Sequence, residues 1–154
     1  MIWEWHVIYS KNMLHHLGFG LDFQHFENAL ENFPGDYSEP DGCILLVRVN
    51  GEPAGCVALR KFDDGICEMK RMYVRPNYRG QGMGRTLAKK IIEQAKAKGY
   101  SKMRLDTAST MEEAVKLYGS MGFKEIEPYR YNPLKNAKYF ELDLDEKCNY
   151  SGHC

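Results

Sequence analysis

An excess of either charge is missing from this chain: Lys and Arg number 21, Asp and Glu number 21, and the net charge is zero. Without a basic excess there is no global field to hold nucleic acid, and none is expected as a partner. No apolar run approaches the ~20 residues of a membrane-spanning helix, so no membrane partner is expected. The opening MIWEWHVIYSKN lacks the basic and apolar regions of a signal peptide. Cysteine is sparse: five residues (Cys43, Cys56, Cys67, Cys148 and Cys154), odd in number and without C-x-x-C. Three fall in apolar strand patterns, where a free thiol behaves as a small hydrophobe. A reducing, cytoplasmic setting is the expectation. Cys148, His153 and Cys154 fall short of the four ligands of a structural zinc, so no metal is expected. Internal repeats and low-complexity tracts are absent. What remains, 154 residues with 44% hydrophobic and 27% charged, suits one domain with one core. The expected division is a domain over residues 1–144 and a polar tail over 145–154.

What is present reads as an ordered series of elements. Trp3, Trp5, Val7 and Tyr9 alternate like a strand, with Ser10 able to cap a short helix to Leu17; one helix from Trp5 to Leu17 fits equally. Asp22 can cap a helix with Phe23, Phe26, Leu30 and Phe33 on one face, stopped by Pro34-Gly35. CILLVRV and the run around GCVALRKF are strands joined by Asn50-Gly51, a type I′ signal. A turn at Asp63-Asp64-Gly65 leads into CEMKRMYV, completing a three-strand antiparallel meander.

Next come the loop RPNYRGQGMG and a helix. Gly84, Leu87, Ala88, Ile91, Ile92 and Ala95 recur at helical spacing, and Gly99 is placed to end the run. KMRLDT alternates as a strand. Thr110 can cap a helix with Met111, Ala114, Val115, Tyr118 and Met121 on one face, closed by Gly122. Phe123 to Ile126 and Lys138 to Leu144 read as the final strands, around the loop EPYRYNPLKNA.

The loop carries the chemistry. Glycines at 80, 82 and 84 strip it of side chains just where a helix begins, and a helix start offers unpaired N–H groups and partial positive charge. An anion, a phosphate or diphosphate, fits such a place. Arg75, Arg79 and Arg85 add full charges. The spacing is neither G-x-G-x-x-G nor a Walker A loop. It does match [RQ]-x-x-G-x-[GA], as Arg79-Gly80-Gln81-Gly82-Met83-Gly84 after a strand ending Met72-Tyr73-Val74. This resembles the acetyl-CoA loop of the GNAT superfamily of N-acetyltransferases, and the order of elements is similar too. The final A-x-x-x-Y-x-x-x-G-F is present as Ala114, Tyr118, Gly122 and Phe123. The resemblance covers residues 43–144 well and 19–42 loosely.

The resemblance implies an α/β (α+β) fold: a mixed, mostly antiparallel twisted sheet of six or seven strands flanked by helices. Relatives usually have a strand before their first helix, and a late start would cost this chain that strand. It implies direct transfer of an acetyl group from acetyl-CoA to an amine, on a small molecule or a peptide. The coenzyme A diphosphate would be held by Arg79, Gly80, Gln81, Gly82, Met83, Gly84 and Arg85. The pantetheine arm would pair with Met72, Tyr73 and Val74. A non-catalytic acyl-CoA binding or sensing domain is the alternative, and homodimerisation stays open.

Two residues are candidates for proton transfer. An amine of pKa ~10.4 is neutral in only about one molecule in 2,500 at pH 7, an offset of roughly 4.6 kcal/mol, so its proton must be taken. Glu68 stands where some relatives carry a general base; read by itself it is equally an internal ion pair with Lys70 or Arg60. Tyr118 belongs to an apolar helix face, and the resemblance makes it the acid that protonates the departing thiolate. Many relatives carry Asn where this chain has Met111, which puts one pantetheine contact in doubt. For the acceptor, Tyr37 and Tyr129 are candidate walls with Phe26, Phe33 and Tyr131, and Arg60 and Lys70 could meet a substrate carboxylate.

Overall fold

The computed structural model of the chain describes residues 2–8, 37–132 and 136–145. The expected helices over 10–17 and 22–33, with Phe26 and Phe33, lie outside these, as do Cys148, His153 and Cys154. Seven strands form one sheet: β1 (Trp3–Ile8), β2 (Cys43–Val49), β3 (Glu52–Asp63), β4 (Ile66–Val74), β5 (Lys102–Ala108), β6 (Lys124–Ile126) and β7 (Ala137–Asp143). Helix α1 (Met83–Ala97) follows β4, and α2 (Glu112–Ser120) follows β5. The spatial order is β1-β2-β3-β4-β5-β7-β6. Only β4 and β5 run parallel. The mixed, mostly antiparallel sheet implied by the resemblance is the one found.

At the N-terminus the strand reading holds. β1 pairs with β2 from Trp3–Val49 to Ile8–Ile44, so the strand that a late start could have cost is present. Trp3, Trp5 and Val7 pack on the core, and the Lys90 ammonium sits 4.8 Å over the Trp5 ring. Asn50 and Gly51 take φ of 50° and 85°, the two positive angles that a type I′ turn needs.

α1 buries Met83, Leu87, Ala88, Ile91, Ile92 and Ala95. Met83 therefore replaces Gly84 at the head of the stripe, and its side chain is core. α1 closes with Tyr100 N–H to Ala95 O and Gly99 N–H to Lys96 O, both 3.1 Å. α2 repeats this pairing, from Phe123 to Tyr118 and from Gly122 to Gly119. Its start differs from expectation: Met111, not Thr110, is the N-cap, without a side-chain hydrogen bond. Within α2 only Tyr118 is fully buried.

Two irregularities in β4 shape the centre of the sheet. Opposite β3, the partner of Cys56 is Tyr73 and that of Ala58 is Lys70, so β4 carries one extra residue. Arg71 lies in that bulge with φ 59°, uncommon for a residue with a side chain. On its other edge, β4 pairs with β5 only through Ile66, Cys67 and Glu68. Beyond them the strands diverge.

α1 meets the sheet at close range over Gly55. A Cβ there would lie 2.9 Å from the Tyr73 carbonyl oxygen, 3.2 Å from Leu87 Cδ1 and 3.3 Å from Met83 Sδ. Backbone cannot yield as a flexible side chain does. Gly55→Ala is expected to cost about 1–3 kcal/mol, seen as a lower urea midpoint at unchanged slope; an unchanged midpoint would show that the contact relaxes freely.

Candidate active site

The gap between the diverging strands is a cavity of about 540 Å³. Lys70, Arg71, Met72 and Tyr73 line it from β4, Asp106 and Thr107 from β5, and Met111, Ala114 and Tyr118 from the α2 segment. Because β5 has left, the β4 edge beyond Glu68 has no ladder partner on that side. Its backbone groups can pair with an extended ligand instead.

The glycine loop and the start of α1 lie directly after that edge. Gly82 is the α1 N-cap in the left-handed conformation, φ 81°, and no side chain caps the helix. Gly80 also has positive φ, 80°. A Cβ at either position would meet nothing within 4 Å, so conformation, not crowding, selects glycine there. The first intrahelical bond runs from Thr86 N–H to Gly82 O. The N–H groups of Met83, Gly84 and Arg85 are thus left for an outside acceptor, as an anion cradle requires.

The three arginines around the loop are not equivalent. Arg79 lines the cavity; its Nε donates to Val74 O at 2.8 Å and its guanidinium lies 5.7 Å from the Tyr73 ring centroid. Arg85 donates to Ser120 Oγ at 2.8 Å. Arg75 turns away to Pro53 O at 2.9 Å.

A charged cluster lies at the other end of the cavity. Glu68 is fully buried. Its Oε1 accepts from Arg60 Nη2 at 2.8 Å and Nε at 2.9 Å. Its Oε2 is 2.7 Å from Arg130 Nη2 and accepts from the Tyr129 hydroxyl at 2.8 Å. Asp106 Oδ1 meets Arg130 at 3.1 Å and Lys70 Nζ at 3.5 Å, while Oδ2 accepts from Asn132 at 2.9 Å. Burial pushes the Asp106 carboxyl up, but the Lys70 charge and the Arg130 and Asn132 hydrogen bonds outweigh it, leaving it below its ordinary value. Burial lowers the Lys70 ammonium, against the pull of Glu68 and Asp106. Burial and the Glu68 charge raise the Tyr129 phenol. Tyr118, packed edge-on against Phe123 at 5.6 Å, is pushed up to about 12 by burial.

Residues 3–123 match the Acetyltransferase (GNAT) family. This chain belongs to the GNAT acetyltransferase family. A Schizosaccharomyces pombe protein named an uncharacterized N-acetyltransferase is 44% identical, over 88% of this chain and 85% of its own length. A GNAT-family acetyltransferase structure from Staphylococcus aureus Mu50 superposes with a TM-score of 0.72 at 22% identity, covering 92% of this chain and all of the other. A GNAT acetyltransferase from Elizabethkingia anophelis, solved with acetyl-CoA bound, gives 0.67 at 20% identity over 92% and 97%.

On this GNAT scaffold the sequence-derived residues separate. Met72, Tyr73, Arg79, Lys70 and Tyr118 line one cavity. Arg60 and Tyr129 are not among the cavity-lining residues; both bond to the buried Glu68. Tyr37 is buried and is not among the cavity-lining residues. Asp106 and Arg130 went unnoticed in the sequence. Asp106 had a signal, its place on the polar face of KMRLDT beside Arg104; Arg130, in a loop without periodicity, had none. Among the described residues no group of side chains could hold a metal ion, and no helix is long and apolar enough to cross a membrane.

The Asp106 cluster makes the protein acid-sensitive. Its carboxyl holds its charge below the ordinary value of 3.8. The resulting stability is present above that pH and lost as pH falls through the lower folded value. Asp106→Asn should therefore flatten the fall in melting temperature as pH drops below about 4; an unchanged acid slope would exclude this source.

Proposed function

We propose that the chain transfers the acetyl group of acetyl-CoA directly to an amine in the cavity between β4 and β5. The supporting observation is the continuity of three features: a strand edge whose β5 ladder stops at Glu68, a glycine cradle at a helix start, and a cavity. The cradle's free N–H groups, with Arg79 and Arg85, fit a diphosphate. The edge at Met72, Tyr73 and Val74 fits an extended amide-bearing arm. Acetyl-CoA bound there supplies a thioester carbonyl for an amine to attack. The chain's own contribution is then to hold the two reactants in line and to manage protons.

Tyr118 is the proposed acid, giving its phenolic proton to the departing thiolate sulfur. With its pKa pushed up to about 12, the phenol is protonated throughout the physiological range. Full transfer to a thiolate of pKa ~8.5 would be uphill by roughly 5 kcal/mol, which favours a hydrogen bond that tightens as the C–S bond breaks.

For Glu68 the proposed role is positioning. Both its oxygens are engaged, and accepting a proton would break a buried ion pair, a loss of roughly 3–5 kcal/mol. Through these contacts it fixes Arg130 and Tyr129 over the sheet. The amine proton leaves by way of water in the cavity. The buried free thiols Cys43, Cys56 and Cys67 favour a reducing, cytoplasmic location.

Acetyl-CoA turnover, measured as thiol release with a panel of amines, tests the reading; binding without release on any amine would overturn it. Tyr118→Phe is expected to lower kcat by roughly 10²-fold with little change in KM for acetyl-CoA. An unaltered kcat removes the tyrosine from that role. Glu68→Gln should lower the melting temperature and raise the acceptor KM while leaving the pH midpoint of kcat in place; a lost acid limb would make it the base instead.

A further inference from the structure

The cluster at the inner end of the cavity does not balance. Arg60, Lys70 and Arg130 bring three positive charges against two negative ones, from Glu68 and Asp106. The surplus sits on Lys70. Both oxygens of Glu68 already receive contacts of 2.7–2.9 Å from other groups. Asp106 Oδ1 is shared with Arg130 at 3.1 Å. Lys70 Nζ stands farther off, 3.5 Å from Asp106 and 4.0 Å from Glu68, beyond the usual span of an N–H···O bond. Its ammonium has three donors, and the lysine lines the cavity with a side chain only 21% exposed. A half-buried cation held by carboxylates yet weakly hydrogen-bonded is prepared for one more anionic oxygen.

Reach sets what that oxygen belongs to. Lys70 is two residues before Met72, on the strand whose open edge fits the pantetheine arm. Two residues of strand span at most roughly 7 Å. A carboxylate at Lys70 therefore lies only a few bonds from a nitrogen reacting beside Met72. Resting on the transferase reading, we propose that the acceptor is an amino acid whose α-carboxylate is bound by Lys70, with Asp106 holding the ammonium in place.

The test pairs N-acetyl-α-amino acids, for all twenty side chains, with the corresponding N-acetyl amino acid amides, titrated calorimetrically into the protein saturated with coenzyme A. At least one acid is expected to bind about 10- to 100-fold more tightly than its amide, the range of one charge-assisted hydrogen bond. In Lys70→Met the preference should vanish, and in Lys70→Arg it should persist within a few-fold. Thermal melts establish that each variant is folded. No acid preferred over its amide, whether both bind equally or neither binds, overturns the proposal, as does a preference that survives in Lys70→Met. Acetyl-CoA affinity and thiol release are measured separately. Their loss counts against the transferase reading, while loss of the acid-over-amide ratio alone counts against the carboxylate site.

Discussion

Three residue pairs hold β4 to β5, and then the two strands part. A parallel pair that continued in register would fill the centre of the sheet with its own hydrogen bonds, leaving nothing for a ligand. The extra residue in β4, with Arg71 at φ 59°, re-aims the strand and keeps it paired to β3 while it leaves β5. The cavity, the open backbone edge and the position of the glycine loop all result from that divergence. A positive φ at a residue with a side chain is a strain the surrounding ladder must hold in place, and the twelve-residue β3 supplies that ladder.

Behind the point of divergence, Glu68 forms the internal ion pair with Arg60 that was one of its two sequence readings. It draws Arg60 from β3 and Arg130 and Tyr129 from the loop before β7 onto one carboxylate. Tyr139 reinforces the arrangement by donating to Arg130 O at 2.9 Å. A loop of little intrinsic preference is thereby fixed across the charged face of the sheet. Cys67, Met69, Met103 and Leu105 join the hydrophobic core. The extra residue at Arg71 breaks the alternation part-way along β4, which is why neither face of CEMKRMYV looks clean in the sequence.

Local signals account for most of what was legible. The meander announced itself through Asn50-Gly51 and alternating runs, and α1 through its apolar stripe and terminal glycine. The cradle was readable because glycine is needed where φ is positive, at Gly80 and Gly82. Non-local matters were not legible. Whether Trp3–Ile8 is strand or helix is decided by pairing with β2, some forty residues on. The cap of α2 fell to Met111, which makes no side-chain capping bond. Asp106 and Arg130 meet only after the sheet has assembled, and Tyr37, aromatic and near a loop, was drawn into the interior instead of the cavity.

The close seating of α1 over Gly55 also ties the cradle to the core. Because Gly82 caps the helix without a side-chain bond, the geometry of the cradle is inherited from the way Met83 and Leu87 rest on β3 and β4. Cradle and core then form one thermodynamic unit, and anything grasped only by the folded cradle shifts the folding equilibrium by RT ln(1 + [L]/Kd). A hundredfold excess over Kd adds about 2.7 kcal/mol. Resistance of the fold to unfolding is therefore set in part by how much acyl donor is bound at the cradle.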